Sequence, residues 1–145
     1  MQQLQKEQWQ RKQHISTYGK KLYLNSITEL SAEAAKWLGE SRSNELVLSG
    51  IHTLTPEAAK GLSKFPGNSI YLWALKELPV ALAKTLSTFK CDYIFIGEIN
   101  SLSVESAKQL IRWNGKRMQI GPIQNYSEEL EKILVKSVRI RFSWN

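Results

Sequence analysis

The chain has 145 residues, 42% of them hydrophobic and 23% charged, and a formal net charge of +7. That balance fits one globular domain, excludes disorder over most of the length, and leaves no run near the roughly 18 apolar residues of a membrane span. A single cysteine, Cys91, excludes an internal disulfide framework and suits a reducing compartment, so a cytoplasmic location is expected.

Residues 1–18 read as a polar capping segment, expected to be helical, that carries Leu4, Trp9 and Ile15. They hold no apolar stretch of the kind a secretory signal needs. The repeat domain, 19–145, follows and is periodic at 24 residues, in blocks near 21–44, 45–68, 69–92, 93–116 and 117–137. The second position of each block is Leu22, Leu46, Ile70, Ile94 or Met118, and the fourth is Leu24, Leu48, Leu72, Ile96 or Ile120. Further columns hold Ile27, Ile51, Leu75, Ile99 and Ile123, then Leu30, Leu54, Leu78, Leu102 and Tyr126, then Leu38, Leu62, Leu86, Leu110 and Leu134.

Each block changes period partway along. Apolar residues two apart open it, which predicts a short strand, and spacings of three and four follow, which predict one face of a helix. Between them Ser31, Thr55, Ser103 and Ser127 stand as N-caps, each with a glutamate two residues later to complement the helix dipole. Pro79 replaces the cap in the third block, where a weaker helix start is expected. Each helix then runs into a turn with a small residue, Gly19, Ser43, Gly67, Cys91 or Gly115, suited to tight or left-handed backbone. Just before it, Phe65, Phe89 and Trp113 form an aromatic column able to pack between repeats. The last segment, 138–144, alternates strictly and predicts a capping strand, with Phe142 and Trp144 in register with Met118 and Ile120.

With these columns the blocks resemble leucine-rich repeats, whose core is L-x-x-L-x-L-x-x-N/C-x-L over 20–29 residues. The likeness runs from about Gly19 to Trp144. It departs from the family pattern where the Asn/Cys position is Ile27, Ile51, Leu75, Ile99 or Ile123, and where the next leucine comes one residue late. What the resemblance implies is an α/β fold of a divergent, helix-rich branch. That fold is a right-handed solenoid of five repeats plus a capping strand, with a parallel β-sheet on the concave face and α-helices on the convex face.

If the second and fourth positions point inward, the first, third and fifth point onto the uncovered face of the sheet. Tyr71, Trp73, Tyr93 and Phe95 then lie side by side on adjacent strands, with Tyr23 in the same column and Arg117 and Arg141 at the rim. These seven residues are the expected partner-binding set, because exposed apolar patches mark binding sites and Trp and Tyr are frequent anchors. Cross-strand packing alone is the competing reading of the same rings. The recurrent lysines Lys36, Lys60, Lys84, Lys108 and Lys132 have glutamates three residues earlier in four blocks, so they read as a solvated helix face rather than a phosphate track.

No catalytic, metal or cofactor site is expected. The two histidines, His14 and His52, have no metal-ligand spacing, and the only aspartate, Asp92, falls in a turn. Cys91 shares its position with Gly and Ser, which makes it a small turn residue, and no phosphate-binding loop is present. The charge reads as neutral in the middle and positive at both ends: four Lys/Arg against one Glu in 1–20, nine of each sign in 21–111, seven against three in 112–145. The expectation is a non-enzymatic protein–protein interaction module with a protein partner, which the positive balance suits if that partner is acidic, and no membrane role. The alternative is a nucleic-acid-binding protein using the basic ends and exposed aromatics.

Overall fold

The computed structural model of the chain describes residues 2–12, 16–18 and 21–144. Strand and helix alternate along most of it. After α1 (Gln2–Lys12) come β1 (Ser16–Tyr18), β2 (Lys21–Tyr23), α2 (Ala32–Gly39), β3 (Glu45–Val47), α3 (Pro56–Leu62) and β4 (Ser69–Leu72). The chain continues with α4 (Val80–Leu86), β5 (Tyr93–Ile96), β6 (Ile99–Ser101), α5 (Val104–Leu110), β7 (Arg117–Asn125), α6 (Glu128–Val135) and β8 (Ile140–Trp144).

The strands form one open sheet, parallel except for β1, which pairs antiparallel with β2 at one edge. Register follows the repeat: Lys21 pairs with Glu45, Glu45 with Ser69, Ser69 with Tyr93, and Tyr93 with Arg117, each 24 positions on. β5 and β6 share one row, facing successive halves of the long β7, and β8 closes the far edge. The second and fourth strand positions are buried in one cluster with Ala35, Leu38, Ala59, Leu62, Ala83, Leu86, Ala107 and Leu110 from the helices. All the core helices therefore pack on one face. Burying each Leu or Ile in that layer contributes about 1.5–3 kcal/mol. Ile27, Ile51, Leu75, Ile99 and Ile123 are buried as well and extend the core past the strand ends.

The helix starts follow the expected caps. Ser31, Thr55, Ser103 and Ser127 accept hydrogen bonds from the amides of Ala34, Ala58, Ser106 and Leu130 at 3.0–3.1 Å. Pro79 supplies no such bond to α4. Below the helices, the carbonyls of Asn44, Asn68 and Asp92 each accept two amides from the following unit, for example Asp92 N and Tyr93 N at 2.9 Å from Asn68 O. This column stitches successive units through its backbone.

Several expectations need correction. The N-terminal segment is helical over Gln2–Lys12, but Ser16–Tyr18 is an edge strand. Trp9 docks on Trp37, with ring centroids 5.9 Å apart, but Leu4 is 56% exposed and Ile15 lies outside the described residues. At the other end, Met118 pairs with Ile140 and Ile120 with Phe142, so β8 sits two residues off the 24-residue period. The cause is a shorter connection. Residues 111–116 wrap Trp113, whereas 136–139 have Ser137 at that position and no ring to go around.

Turn glycines also serve a different purpose from the one expected. Gly121 is the described glycine with a positive φ, at +138°. A Cβ on Gly67 would stand 2.4 Å from the Phe65 ring, and one on Gly115 only 1.9 Å from the Trp113 ring. The buried aromatic folds back under its own turn, and Trp113 Nε1 donates to the Phe89 carbonyl at 3.2 Å. Small residues are needed there for room. Gly115→Ala should therefore lower unfolding free energy by about 1–3 kcal/mol in chemical denaturation, as overpacking does. The loss should shrink when the same change is made in a Trp113→Leu background, where the ring is gone.

Candidate functional site

With the helices on one side, the other side of the sheet is open. Two rows of side chains cross it. Lys21, Glu45, Ser69, Tyr93 and Arg117 form the first, and Tyr23, Val47, Tyr71, Phe95, Gln119 and Arg141 the second. Trp73, just past β4, stands above them and is 44% exposed.

Four of the expected rings come together. Tyr71 and Phe95 stack with centroids 4.7 Å apart and planes 9° from parallel, while Tyr93 lies 6.4 Å from Phe95 at 15°. Trp73 tilts against both, 5.8 Å from Tyr71 and 5.8 Å from Phe95. The Trp73 carbonyl in turn packs close on Gly97, where a Cβ would meet its oxygen at 2.2 Å. Tyr71 and Phe95, on adjacent strands, cover one face of each other.

The remaining predicted residues are placed less uniformly. Tyr23 shares the second row but is separated from Tyr71 by Val47, about 10 Å across two strand spacings, and does not join the ring cluster. Arg117 stands opposite Tyr93, as expected. Arg141 faces Gln119 rather than Arg117, because of the shifted β8 register, and so falls in the second row, two strands from Phe95. A further aromatic group escaped the sequence reading: Tyr126 and Phe142 lie 4.1 and 4.6 Å from Trp144. Tyr126 in a column of leucines is the signal that marked it.

Polar contacts settle one half of the face. The Tyr71 hydroxyl donates to Glu45 Oε1 at 2.7 Å, and Lys21 Nζ lies 3.2 Å from Glu45 Oε2. Partial burial, then the hydrogen bond and the negative charge of Glu45, push the Tyr71 phenol up to about 12 from 10.0. Elsewhere, burial also pushes the Cys91 thiol up to about 12, which keeps it protonated and inert. His52 is exposed, and its carbonyl accepts the Lys76 amide at 3.2 Å.

The fold also re-sorts the charge. The connections from helix to strand, 40–44, 63–68, 87–92, 111–116 and 136–139, carry seven Lys/Arg against Glu40 and Asp92. The connections from strand to helix, together with the first helical turns, carry nine glutamates against Lys76. Nine charges of each sign in 21–111 thus mask one basic edge and one acidic edge. Helix dipoles favour this sorting, with acids at helix N-termini and bases at C-termini. The helix ion pairs fit it too, at 3.3 Å for Lys108–Glu105 and for Lys132–Glu128, where Lys132 takes Glu128 rather than the expected Glu129.

No family profile, curated protein or solved structure matches the chain. Among the described residues no helix is long and apolar enough to cross a membrane.

The Tyr71 phenol gives a direct check of this geometry. The absorbance difference between wild type and Tyr71→Phe should titrate near 12, and Glu45→Ala should lower the midpoint part of the way, since burial, the larger cause, remains. An unfolded chain releases that proton near 10.0 and the folded chain near 12, so this group's contribution to stability is whole below 10 and lost as pH rises through 12.

Proposed function

We propose that the chain is a non-enzymatic protein-interaction module, built as a leucine-rich-repeat-like right-handed solenoid in the cytoplasm, that takes its partner on the concave aromatic face. The observation that carries this reading is the cluster of Tyr71, Trp73, Tyr93 and Phe95 on an uncovered sheet, with Trp73 the most exposed of the four. Cross-strand stacking accounts for Tyr71 and Phe95, which stabilise each other. Trp73 tilts against both rings yet is left 44% exposed, more than packing within the sheet requires. Exposed tryptophans of this kind are the residues whose truncation costs interfaces most.

Nucleic acid is the rival partner, favoured by the +7 charge and by aromatics near arginines. Base stacking uses ring faces, and the faces of Tyr71 and Phe95 are turned to each other. That weighs toward protein.

An affinity pull-down from cell lysate, run with and without nuclease, tests the reading. One stoichiometric protein should survive nuclease and be lost when Trp73→Ala is the bait, with circular dichroism unchanged. The expected loss is about 2 kcal/mol or more of binding energy, roughly thirtyfold in affinity. Recovery of nucleic acid alone, or undiminished capture by Trp73→Ala, would refute it.

A further inference from the structure

We infer that the segment of the partner seated on the aromatic face is acidic, and that it enters over the basic corner where β5, β7 and β8 begin. This rests on the protein-binding reading above and adds the chemistry of the partner. Arg112, Lys116, Arg117, Lys136, Arg139 and Arg141 gather at that corner from two successive connections and the strands they feed. Lys116 is held by Asp92 at 3.5 Å. The four arginines are exposed and form no ion pair among the described residues.

Continuity with the rings comes from register. Arg117 is the cross-strand partner of Tyr93, and Arg141 shares the row of Phe95, two strands away beyond Gln119. The two halves of the open face differ electrostatically. On the β2–β4 side, Glu45 is already engaged by Lys21 and by the Tyr71 hydroxyl, so that side is internally neutralised. On the β5–β8 side Arg117 and Arg141 have no such ion pair among the described residues. The opposite edge of the sheet, with its nine glutamates, repels the same ligand and leaves one direction of approach.

Panning a random-peptide library on the full-length protein tests this, followed by anisotropy titration of the enriched peptides. Acidic sequences should be enriched. Their affinity should fall about tenfold or more with Arg117→Glu/Arg141→Glu, fall with Trp73→Ala, and not fall with Glu77→Lys on the acidic edge. Arg117→Gln/Arg141→Gln serves as the milder variant should the double reversal disturb the fold. Neutral or basic peptides that need Trp73 but ignore both arginine variants would overturn the acidic assignment and leave the protein-binding face standing. A library with no Trp73-dependent sequence would overturn both. Oligothymidylate that binds more tightly than the acidic peptides, and displaces them, would overturn the inference in favour of nucleic acid.

Discussion

Everything in the molecule depends on one constraint: no single 24-residue unit can bury its own apolar side. A three- or four-residue strand and a helix of about two turns expose both of their flanks. They become stable only when the next unit stacks on them in register. Leu46 is fully buried because Leu22 lies on one side and Ile70 on the other. The same register that closes the core repeats every outward position at strand spacing on the far face. Rings that are 24 residues apart in the chain are thereby brought to stacking distance, as Tyr71 and Phe95 are. The core and the candidate site are two consequences of one pairing rule.

Elements inside the period were legible because each is specified several times over. Apolar columns, hydroxyl caps and the change from period two to period three or four all repeat, so one weak block, such as that of Pro79, cannot obscure the pattern. The ends lack this redundancy. β1 is three residues long, with no equivalent elsewhere in the chain, and its pairing is antiparallel. β8 has the alternation of a strand, but its register is set by the length of the connection before it, and Ser137 in place of an aromatic shortens that connection. Counting 24 from Met118 therefore led to Phe142, whereas the pairing falls on Ile140. The displacement of Arg141 into the second row follows from that slip.

Two physical reasons were hidden because they act across space rather than along the chain. The small residue after each aromatic looked like a backbone requirement, yet Gly67 and Gly115 make room for rings two residues back. The sorting of charge was hidden for a related reason. A tally along the sequence averages over each helix, while the fold gathers all helix N-termini on one edge and all C-termini on the other. A local preference worth a few tenths of a kcal/mol per helix, repeated five times in the same orientation, adds up to a transverse polarity of the whole molecule.

That polarity constrains what the aromatic face can be used for. A sheet with rings on its open side is a shallow surface, with little shape to select among partners by itself. Selection then falls to the field around it, which steers encounters and penalises wrong partners more than it adds affinity. Here the field is uneven in two directions. Across the sheet it runs from the glutamates at the helix starts to the cations at the strand starts. Along the sheet it runs from the self-satisfied Lys21–Glu45–Tyr71 group to Arg117 and Arg141, which form no ion pair among the described residues. Because the two gradients are not parallel, they mark a single corner, and under the proposed reading a ligand drawn to it would meet Tyr93 and Phe95 before Trp73.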